Sequence, residues 1–245
     1  MHDTIIIPSR LASTRLPNKP LADINGKTMI EHVYLRAKEA NIADIYIACC
    51  DQKLYDHVKD FGANAIMTDP ELPSGTDRIH QALTKIPNAQ QYKYILNLQG
   101  DLPNIAPQIL IETINLLKNN DAADISTAVT EIIEEELKTD PNIVKAITSF
   151  GKTQTSNKIH YFTRSTAPYG GATLYEHIGI YCYRVNILKK FISLAPSNLE
   201  NSEKLEQLRA LENNMNIYAC KIPSKLKPIS IDTKSDLTKI LTSQN

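Results

Sequence analysis

Three cations lie close together near the amino terminus, in a stretch that contains no acidic residue. Arg10, Arg15 and Lys19 fall within the segment PSRLASTRLPNKPL, residues 8–21, with serine and threonine hydroxyls between them. Arginine binds phosphate oxygens as a bidentate fork, and lysine binds them as a compact point charge. An ordinary solvated basic loop has the same composition. The segment follows the apolar run 4–7, however, and ligands bind where the strands of open α/β sheets end, which favours a triphosphate site.

Two aspartates also follow apolar runs. Asp101 comes after the strand-like residues 94–98, and Asp232 comes after 228–231. Mg²⁺ takes one or two carboxylates together with phosphates and water, so Asp101 suits a metal site beside a nucleotide. A Gly-Asp pair is also common in turns and helix caps, and Asp232, taken alone, is more often a helix N-cap.

The elements that must position these residues alternate between strands and helices. Periodicity predicts strands at 4–7, 45–49, 65–67 and 94–98, and helices at 28–40, 53–61, 77–86 and 107–117. Beyond about residue 121 it predicts strands at 125–130, 144–149, 159–162, 178–183 and 217–221, with helices at 185–194 and 203–212. The pattern indicates one α/β domain over 1–245, with a mainly parallel sheet flanked by helices and a small antiparallel excursion at about 121–185.

Composition excludes several classes of protein. The chain has 27 basic and 27 acidic residues, a balance that argues against a nucleic-acid partner. Its 8 glycines form neither GxGxxG nor GxxxxGK[ST], which disfavours dinucleotide and Walker-type phosphate loops. No run approaches 18 apolar residues and the amino terminus lacks the features of a signal peptide, so we expect a cytoplasmic protein without membrane insertion.

A resemblance to a known family enters with the basic segment. Residues 7–21 resemble the signature I-P-A-R-x-x-S-T-R-L-P-x-K-P-L of sugar-acid cytidylyltransferases, with Ser9 in place of alanine. Further stretches resemble the same family in order along nearly the whole chain: PSGTDR at 73–78, LQGD at 98–101, FTRS at 162–165, HIGIY at 177–181, LEQLR at 205–209 and DT at 232–233. The similarity is greatest to the members that activate 3-deoxy-manno-octulosonate (Kdo).

The resemblance implies a fold and an activity. The fold is the Rossmann-like nucleotide-diphospho-sugar transferase fold. The activity is transfer of CMP from CTP to Kdo, giving CMP-Kdo and pyrophosphate for lipopolysaccharide biosynthesis, by in-line attack on the α-phosphorus. Mg²⁺ held by Asp101 and Asp232 is the implied cofactor, and a homodimer that uses the 121–185 excursion is the implied assembly.

The resemblance also assigns residues. The CTP site would contain Pro8, Ser9, Arg10, Arg15, Lys19, Ser74, Gly75 and Arg78. The Kdo site would contain Gln99, Arg164, His177, Tyr181, Glu206 and Gln207. The catalytic residues would be Asp101, Asp232, Arg15 and Lys19.

The residues themselves support parts of these assignments. Ser74 and Gly75 open a predicted helix, whose first N–H groups suit base or phosphate acceptors, although a simple capping sequence reads the same way. Bidentate recognition of a carboxylate favours Arg164. Strand alternation predicts that His177 and Tyr181 share one face. Glu206 and Gln207 fall on a predicted helix, and a solvated helix face is the ordinary alternative to a sugar-binding role there.

Three departures from the family pattern keep two alternatives open. Leu102 replaces a usual glutamate, Cys50 a usual aspartate and Leu72 a usual histidine. One alternative is a cytidylyltransferase for another acidic sugar, such as a nonulosonate. The other is a catalytically silent nucleotide-binding protein of the same fold, which only the Leu102 and Cys50 departures suggest.

Overall fold

The computed structural model describes residues 2–243. The strands are β1 (His2–Ser9), β2 (Asp23–Ile24), β3 (Lys27–Thr28), β4 (Asp44–Cys49), β5 (Asn64–Met67), β6 (Tyr92–Asn97), β7 (Ile125–Glu131), β8 (Lys145–Ile147), β9 (Ser156–Lys158), β10 (Tyr161–Thr163), β11 (Tyr175–Arg184) and β12 (Ile217–Ile222). The α-helices are α1 (Met29–Ala40), α2 (Gln52–Asp60), α3 (Gly75–Lys85), α4 (Pro107–Lys118), α5 (Glu135–Thr139), α6 (Val185–Ile192), α7 (Asn198–Glu203), α8 (Leu208–Glu212) and α9 (Lys234–Ser243). No helix of the described residues is long and apolar enough to cross a membrane.

The first of two compact units contains residues up to 110 together with those from 228 onward. Its sheet has the order β5-β4-β1-β6, and every neighbouring pair is parallel. Ile5, Ile6 and Ile7 of the central strand β1 are fully buried, as expected of a strand covered on both faces. All four carboxyl ends therefore meet at one edge of this sheet.

The basic segment after β1 is fixed at that edge by an apolar anchor. Leu16 is buried in a cluster with Ile24, Met29, Ile231 and Ile240, the last of which lies on α9. Asp51, at the N-cap of α2, accepts a hydrogen bond from the Leu11 backbone N–H at 2.9 Å. The same cluster holds Ile231, so it brings the neighbouring Asp232 back to the basic segment.

The second unit contains residues 111–227. Strand β7 pairs in parallel with β12 and antiparallel with β11, while β9 pairs antiparallel with β12. Strand β8 pairs antiparallel with both β10 and β11. The α/β fold class, the parallel sheet and the antiparallel pairing near 121–185 are thus confirmed. The division into two compact units does not test the single domain expected over 1–245, which stays a prediction.

The prediction of one helix over 203–212 was wrong. Lys204 adopts a left-handed conformation, with φ of 56°, directly after the last residue of α7. This ends α7 at Glu203, and the chain becomes helical again only at Leu208. Glu206 and Gln207 consequently lie on a connection between two helices and not on a helix face. Sequence periodicity also missed α5 and β9, which are short elements of five and three residues.

A buried ion pair joins α7 to α8. Arg209 donates from Nε to Glu200 Oε2 at 2.8 Å and from Nη2 to Oε1 at 2.6 Å, and the two side chains are 9% and 12% exposed. Burial works to raise the pKa of Glu200, but hydrogen bonds from Arg209 and from the Ser197 backbone outweigh it, so the pKa lies below its usual 4.5. A carboxyl group with a lowered pKa stabilises the fold above its unfolded pKa and loses that contribution as the pH falls through the folded value.

We expect Glu200→Gln to lower the free energy of unfolding by about 3 kcal/mol at pH 7, because it leaves the Arg209 charge buried without its partner. The deficit should shrink as the pH falls below the unfolded pKa of 4.5 towards the lowered folded value, because protonation progressively removes the contribution of the wild-type carboxylate. Urea denaturation at pH 7 and pH 3.5 measures both. Glu135→Gln, which removes the exposed pair with Lys138, is the control with little expected change. A deficit that is equal at the two pH values would contradict the assignment.

Candidate active site

A cavity of about 710 Å³ opens at the carboxyl edge of the β5-β4-β1-β6 sheet. Its volume lies in the range of small-molecule sites. It is lined by Pro8, Ser9, Arg10, Ala12, Ser13, Thr14, Arg15, Lys19, Pro20, Leu72, Pro73, Ser74, Gly75, Arg78, Gln99, Gly100, Asp101 and Asp232. Every residue that the sequence assigned to CTP or to the metal is therefore brought together here. Gln99, which was assigned to Kdo, lines the same cavity.

One ammonium group joins the two aspartates across this cavity. Lys19 Nζ lies 3.0 Å from Asp101 Oδ2 and 3.0 Å from Asp232 Oδ1, so these oxygens are at most twice that distance apart. Arg15 Nη2 contacts the same Asp232 oxygen at 3.1 Å. Burial works to lower the pKa of Lys19, but Asp101 and Asp232 outweigh it and raise the pKa. Lys19 is hence a cation at neutral pH, and together with Arg15 it balances the two carboxylates.

Two glycines allow the chain to pass close to the end of β1. A Cβ atom on Gly100 would lie 3.1 Å from the Pro8 carbonyl oxygen and 3.6 Å from Ser9 Oγ. A Cβ atom on Gly75 would lie 3.3 Å from Pro8 Cγ. Both glycines thus belong to the wall that shapes the cavity. Ser9 Oγ is buried and has no hydrogen-bond partner among the described residues.

The side chains of Ser74 and Arg78 are held by the protein. Ser74 accepts from the Asp77 backbone N–H at 3.1 Å and is the N-cap of α3, so capping explains its hydroxyl. Arg78 is 3% exposed and donates from Nη1 to Thr68 Oγ1 at 2.7 Å and to the Asp69 carbonyl at 3.0 Å. Arg78 therefore fixes the segment before α3 as well as lining the cavity.

The predicted aromatic face of β11 lies in the second unit. The ring centroids of His177 and Tyr181 are 5.2 Å apart, and those of Tyr181 and Tyr183 are 6.1 Å apart. The shared face is therefore confirmed, although the register of β11 against β7 shifts between Ile178 and Tyr181. Burial lowers the pKa of His177 to about 3, and its Nε2 lies 3.0 Å from Thr127 Oγ1. His177 is neutral at pH 7.

Comparisons with known proteins decide the family. Residues 4–217 match the cytidylyltransferase family model. A 3-deoxy-manno-octulosonate cytidylyltransferase from Bartonella bacilliformis is 50% identical over 238 residues, which cover 96% of each chain. The chain belongs to the cytidylyltransferase family. A second relative of the same name, from Rhodospirillum rubrum, is 43% identical over 96% of this chain and 92% of its own.

A solved structure agrees with this cytidylyltransferase along its full length. The structure of CMP:2-keto-3-deoxy-manno-octonic acid synthetase in complex with CTP superimposes with a TM-score of 0.89 at 34% identity. The match covers 100% of this chain and 98% of the other. The Rossmann-like fold expected from the resemblance is therefore confirmed.

Arg164 sits in this cytidylyltransferase at the end of β10, partly engaged by backbone carbonyls. Its Nε donates to the Glu203 carbonyl and its Nη1 to the Pro141 carbonyl, each at 2.9 Å. Within residues 2–243, no protein group accepts from Nη2. Nη2 is thus available to a carboxylate, whereas Nε and Nη1 hold the side chain against the backbone.

Glu206 lies near the aromatic face, on the connection between α7 and α8 that also carries Gln207. The negative charge of Glu206 adds to burial and to Tyr183 in raising the pKa of Tyr181, which places the carboxylate near that phenol. The structure therefore brings His177, Tyr181 and Glu206 together in the second unit.

Two acidic residues that the sequence did not single out support the site. Asp51 holds the basic segment through the Leu11 N–H, and Glu203 holds the segment that contains Arg164. Asp51 closely follows a strand, as Asp101 does, and that position was a usable signal. No sequence feature indicated a functional role for Glu203, because the pattern around it predicts an ordinary solvated helix. Of the three departures, only Leu72 lines the cavity, and Leu102 is 5% exposed in the core.

Proposed function

We propose that this chain transfers CMP from CTP to Kdo and releases pyrophosphate. The observation that carries the proposal is the cavity that gathers Arg10, Arg15, Lys19, Asp101 and Asp232 at one sheet edge. Its three cations can neutralise a triphosphate, and relatives at 43–50% identity carry the name of this activity. The CTP complex of the similar solved structure supports the choice of nucleotide.

In the proposed reaction, the anomeric hydroxyl of Kdo attacks the α-phosphorus in line with the departing pyrophosphate. Catalysis of this kind depends on positioning and charge neutralisation, with little covalent participation by the protein. Arg10 and Arg15 would hold the phosphates, and Lys19 would stabilise the charge that develops on pyrophosphate. Gly75 and Gly100 would keep the wall of the cavity open to the nucleotide.

We also propose Mg²⁺ as the cofactor, held by Asp101 and Asp232. The donor set fits, since two carboxylates that converge beside a triphosphate are what Mg²⁺ prefers. When bound, the ion would neutralise phosphate charge. Lys19 would move its contacts from the carboxylates towards the phosphates. The homodimer remains a proposal that rests on the resemblance, and the cytoplasmic location remains one that rests on sequence features. Size-exclusion chromatography with light scattering tests the dimer.

Pyrophosphate release from CTP, measured with a panel of sugar acids, tests the proposed function. We expect Kdo to give turnover that depends on Mg²⁺, and nonulosonates to give at least tenfold lower kcat/KM. A higher kcat/KM with a nonulosonate than with Kdo would identify the nonulosonate as the substrate. CTP binding without turnover across the panel would show a silent nucleotide-binding protein instead.

A Gly100→Ala substitution tests the shape of the cavity. The added Cβ would meet the Pro8 carbonyl at 3.1 Å, so the end of β1 must shift. We expect the KM for CTP to rise about tenfold and the free energy of unfolding to fall by about 1 kcal/mol, as for other overpacked sites. Gly151→Ala is the matched control, because its Cβ would make only an ordinary 3.6 Å contact with Gln154. An unchanged KM in Gly100→Ala would remove Gly100 from the nucleotide site.

A further inference from the structure

Glu203 holds the backbone on both sides of Arg164. Its Oε1 accepts from Thr163 Oγ1 at 2.7 Å, and its Oε2 accepts from the Arg164 backbone N–H at 2.9 Å. Thr163 Oγ1 in turn accepts from the Ser165 N–H at 3.0 Å. The Glu203 carbonyl completes the set by accepting from Arg164 Nε. One residue therefore fixes both the backbone and the guanidinium of Arg164.

The same residue is firmly placed on its own side. Glu203 is the last residue of α7, which the buried Glu200–Arg209 pair ties to α8. The left-handed Lys204 follows at once, and the connection then carries Glu206 and Gln207. Glu203 thus joins the two chain segments that carry Arg164 and the Glu206–Gln207 pair. In a partly exposed part of the protein, two hydrogen bonds to one carboxylate fix a geometry that packing alone would leave loose.

We propose that Glu203 is a positioning residue for the sugar acid, which it serves by holding the Arg164 guanidinium at a fixed distance from the Glu206–Gln207 connection. The inference rests on the proposed function, because it assumes that Arg164 meets the sugar carboxylate. Glu203 itself has its carboxylate oxygens occupied by Thr163 and Arg164, so it acts through Arg164 and not by contact with the sugar.

The chemistry of the side chain predicts which substitutions matter. Glu203→Ala removes both side-chain acceptors, so the Arg164 backbone N–H loses its partner, and the guanidinium keeps only its bonds to the carbonyls of residue 203 and Pro141. Glu203→Gln keeps the shape, and its amide can donate to Thr163 Oγ1 while accepting from the Arg164 N–H. The alanine variant should therefore lose the positioning, and the glutamine variant should recover most of it.

The experiment measures steady-state kinetics of pyrophosphate release with CTP and Kdo as separately varied substrates. In Glu203→Ala we expect the KM for Kdo to rise about tenfold, as for a small displacement of a binding group, and the KM for CTP to stay within twofold. In Glu203→Gln the KM for Kdo should return to within about threefold of wild type. In a background that already carries Arg164→Ala, Glu203→Ala should add less than twofold, because its effect passes through Arg164.

Glu212→Ala is the matched control. Glu212 accepts from the Leu199 N–H of α7 at 3.0 Å and lies near Tyr161, as Glu203 does, but it makes no hydrogen bond to residues 163–165. We expect its KM for Kdo to stay within twofold. A similar rise in Glu212→Ala, equal changes in the two KM values, or an additive loss on top of Arg164→Ala would overturn the inference.

Folding and the proposed function are checked separately. If Glu203→Ala does not fold, Thr163→Val removes one of the same hydrogen bonds from the other side and should raise the KM for Kdo several-fold. Thr163→Val kinetics equal to wild type would then count against the inference. If the wild-type protein gives no turnover with Kdo, the proposed function itself is wrong. If the wild-type protein is active and Glu203→Ala has the same KM for Kdo, only the role of Glu203 is wrong.

Discussion

Asp101→Asn is expected to lower kcat by at least about two orders of magnitude at saturating CTP, Kdo and Mg²⁺. The substitution keeps the size of the side chain and removes its charge from the wall of the cavity, where Asp101 contacts Lys19. Removing one preorganised charge-stabilising group from a reaction of this type costs about 10²–10³ in rate. A carboxamide is also a poorer Mg²⁺ ligand than a carboxylate. We therefore expect the concentration of Mg²⁺ needed for half-maximal rate to rise as well.

Pyrophosphate release across a Mg²⁺ titration measures both effects. Asp121→Asn is the matched control, since Asp121 is fully exposed and lies 3.8 Å from Arg184, its one ion pair among residues 2–243. Urea denaturation shows whether each variant is folded. Turnover of Asp101→Asn close to wild type at saturating Mg²⁺ would refute the proposed role of Asp101 in metal binding.

Lys19→Met is expected to have the second largest effect, and its effect on stability should depend on Mg²⁺. The substitution removes a cation proposed to bind the triphosphate, so we expect kcat/KM for CTP to fall about 10²-fold or more. Without metal, it also leaves Asp101 and Asp232 at most 6 Å apart with only the Arg15 contact to balance them. For such partly exposed groups we expect about 1–2 kcal/mol of lost stability, which is less than for a fully buried pair.

Saturating Mg²⁺ should restore much of that loss, because a divalent cation that binds the folded state replaces the missing ammonium. The measurement is the free energy of unfolding with EDTA and with excess Mg²⁺, for wild type and Lys19→Met. Lys53→Met, which removes an exposed lysine on α2, serves as control. A stabilisation by Mg²⁺ that is no larger in Lys19→Met than in wild type would mean that Lys19 and the ion do not share the two carboxylates.

Local patterns were sufficient for the first unit. The apolar runs predicted the strands of its sheet, and the carboxyl ends of parallel strands necessarily meet at one edge. The basic segment and Asp101 follow two of those strands, so their proximity could be inferred from the sequence. The capping role of Ser74 was also legible, because Ser-x-x-Asp before a helix is a local signal.

Long-range placement required the tertiary structure. Asp232 reaches Lys19 because α9 and Ile231 pack into the cluster around Leu16, and no local pattern encodes that packing. Arg78 looks like a ligand-binding residue in the sequence, yet its guanidinium is buried against Thr68 and Asp69. The family resemblance assigned residues to both sites, but it did not include Asp51 or Glu203.

Strand alternation and hydrophobic periodicity are local properties of the chain, so the α/β class, the sheet edge, its three cations and Asp101 could be inferred from the sequence alone. The pairing of those groups, and the position of Asp232 among them, depend on packing between distant segments. A single left-handed residue, Lys204, converts a predicted helix into the connection that carries Glu206 and Gln207. The carboxylate contacts of Glu203 then fix Arg164 beside it, since hydrogen bonds between distant segments form only once packing has brought those segments together.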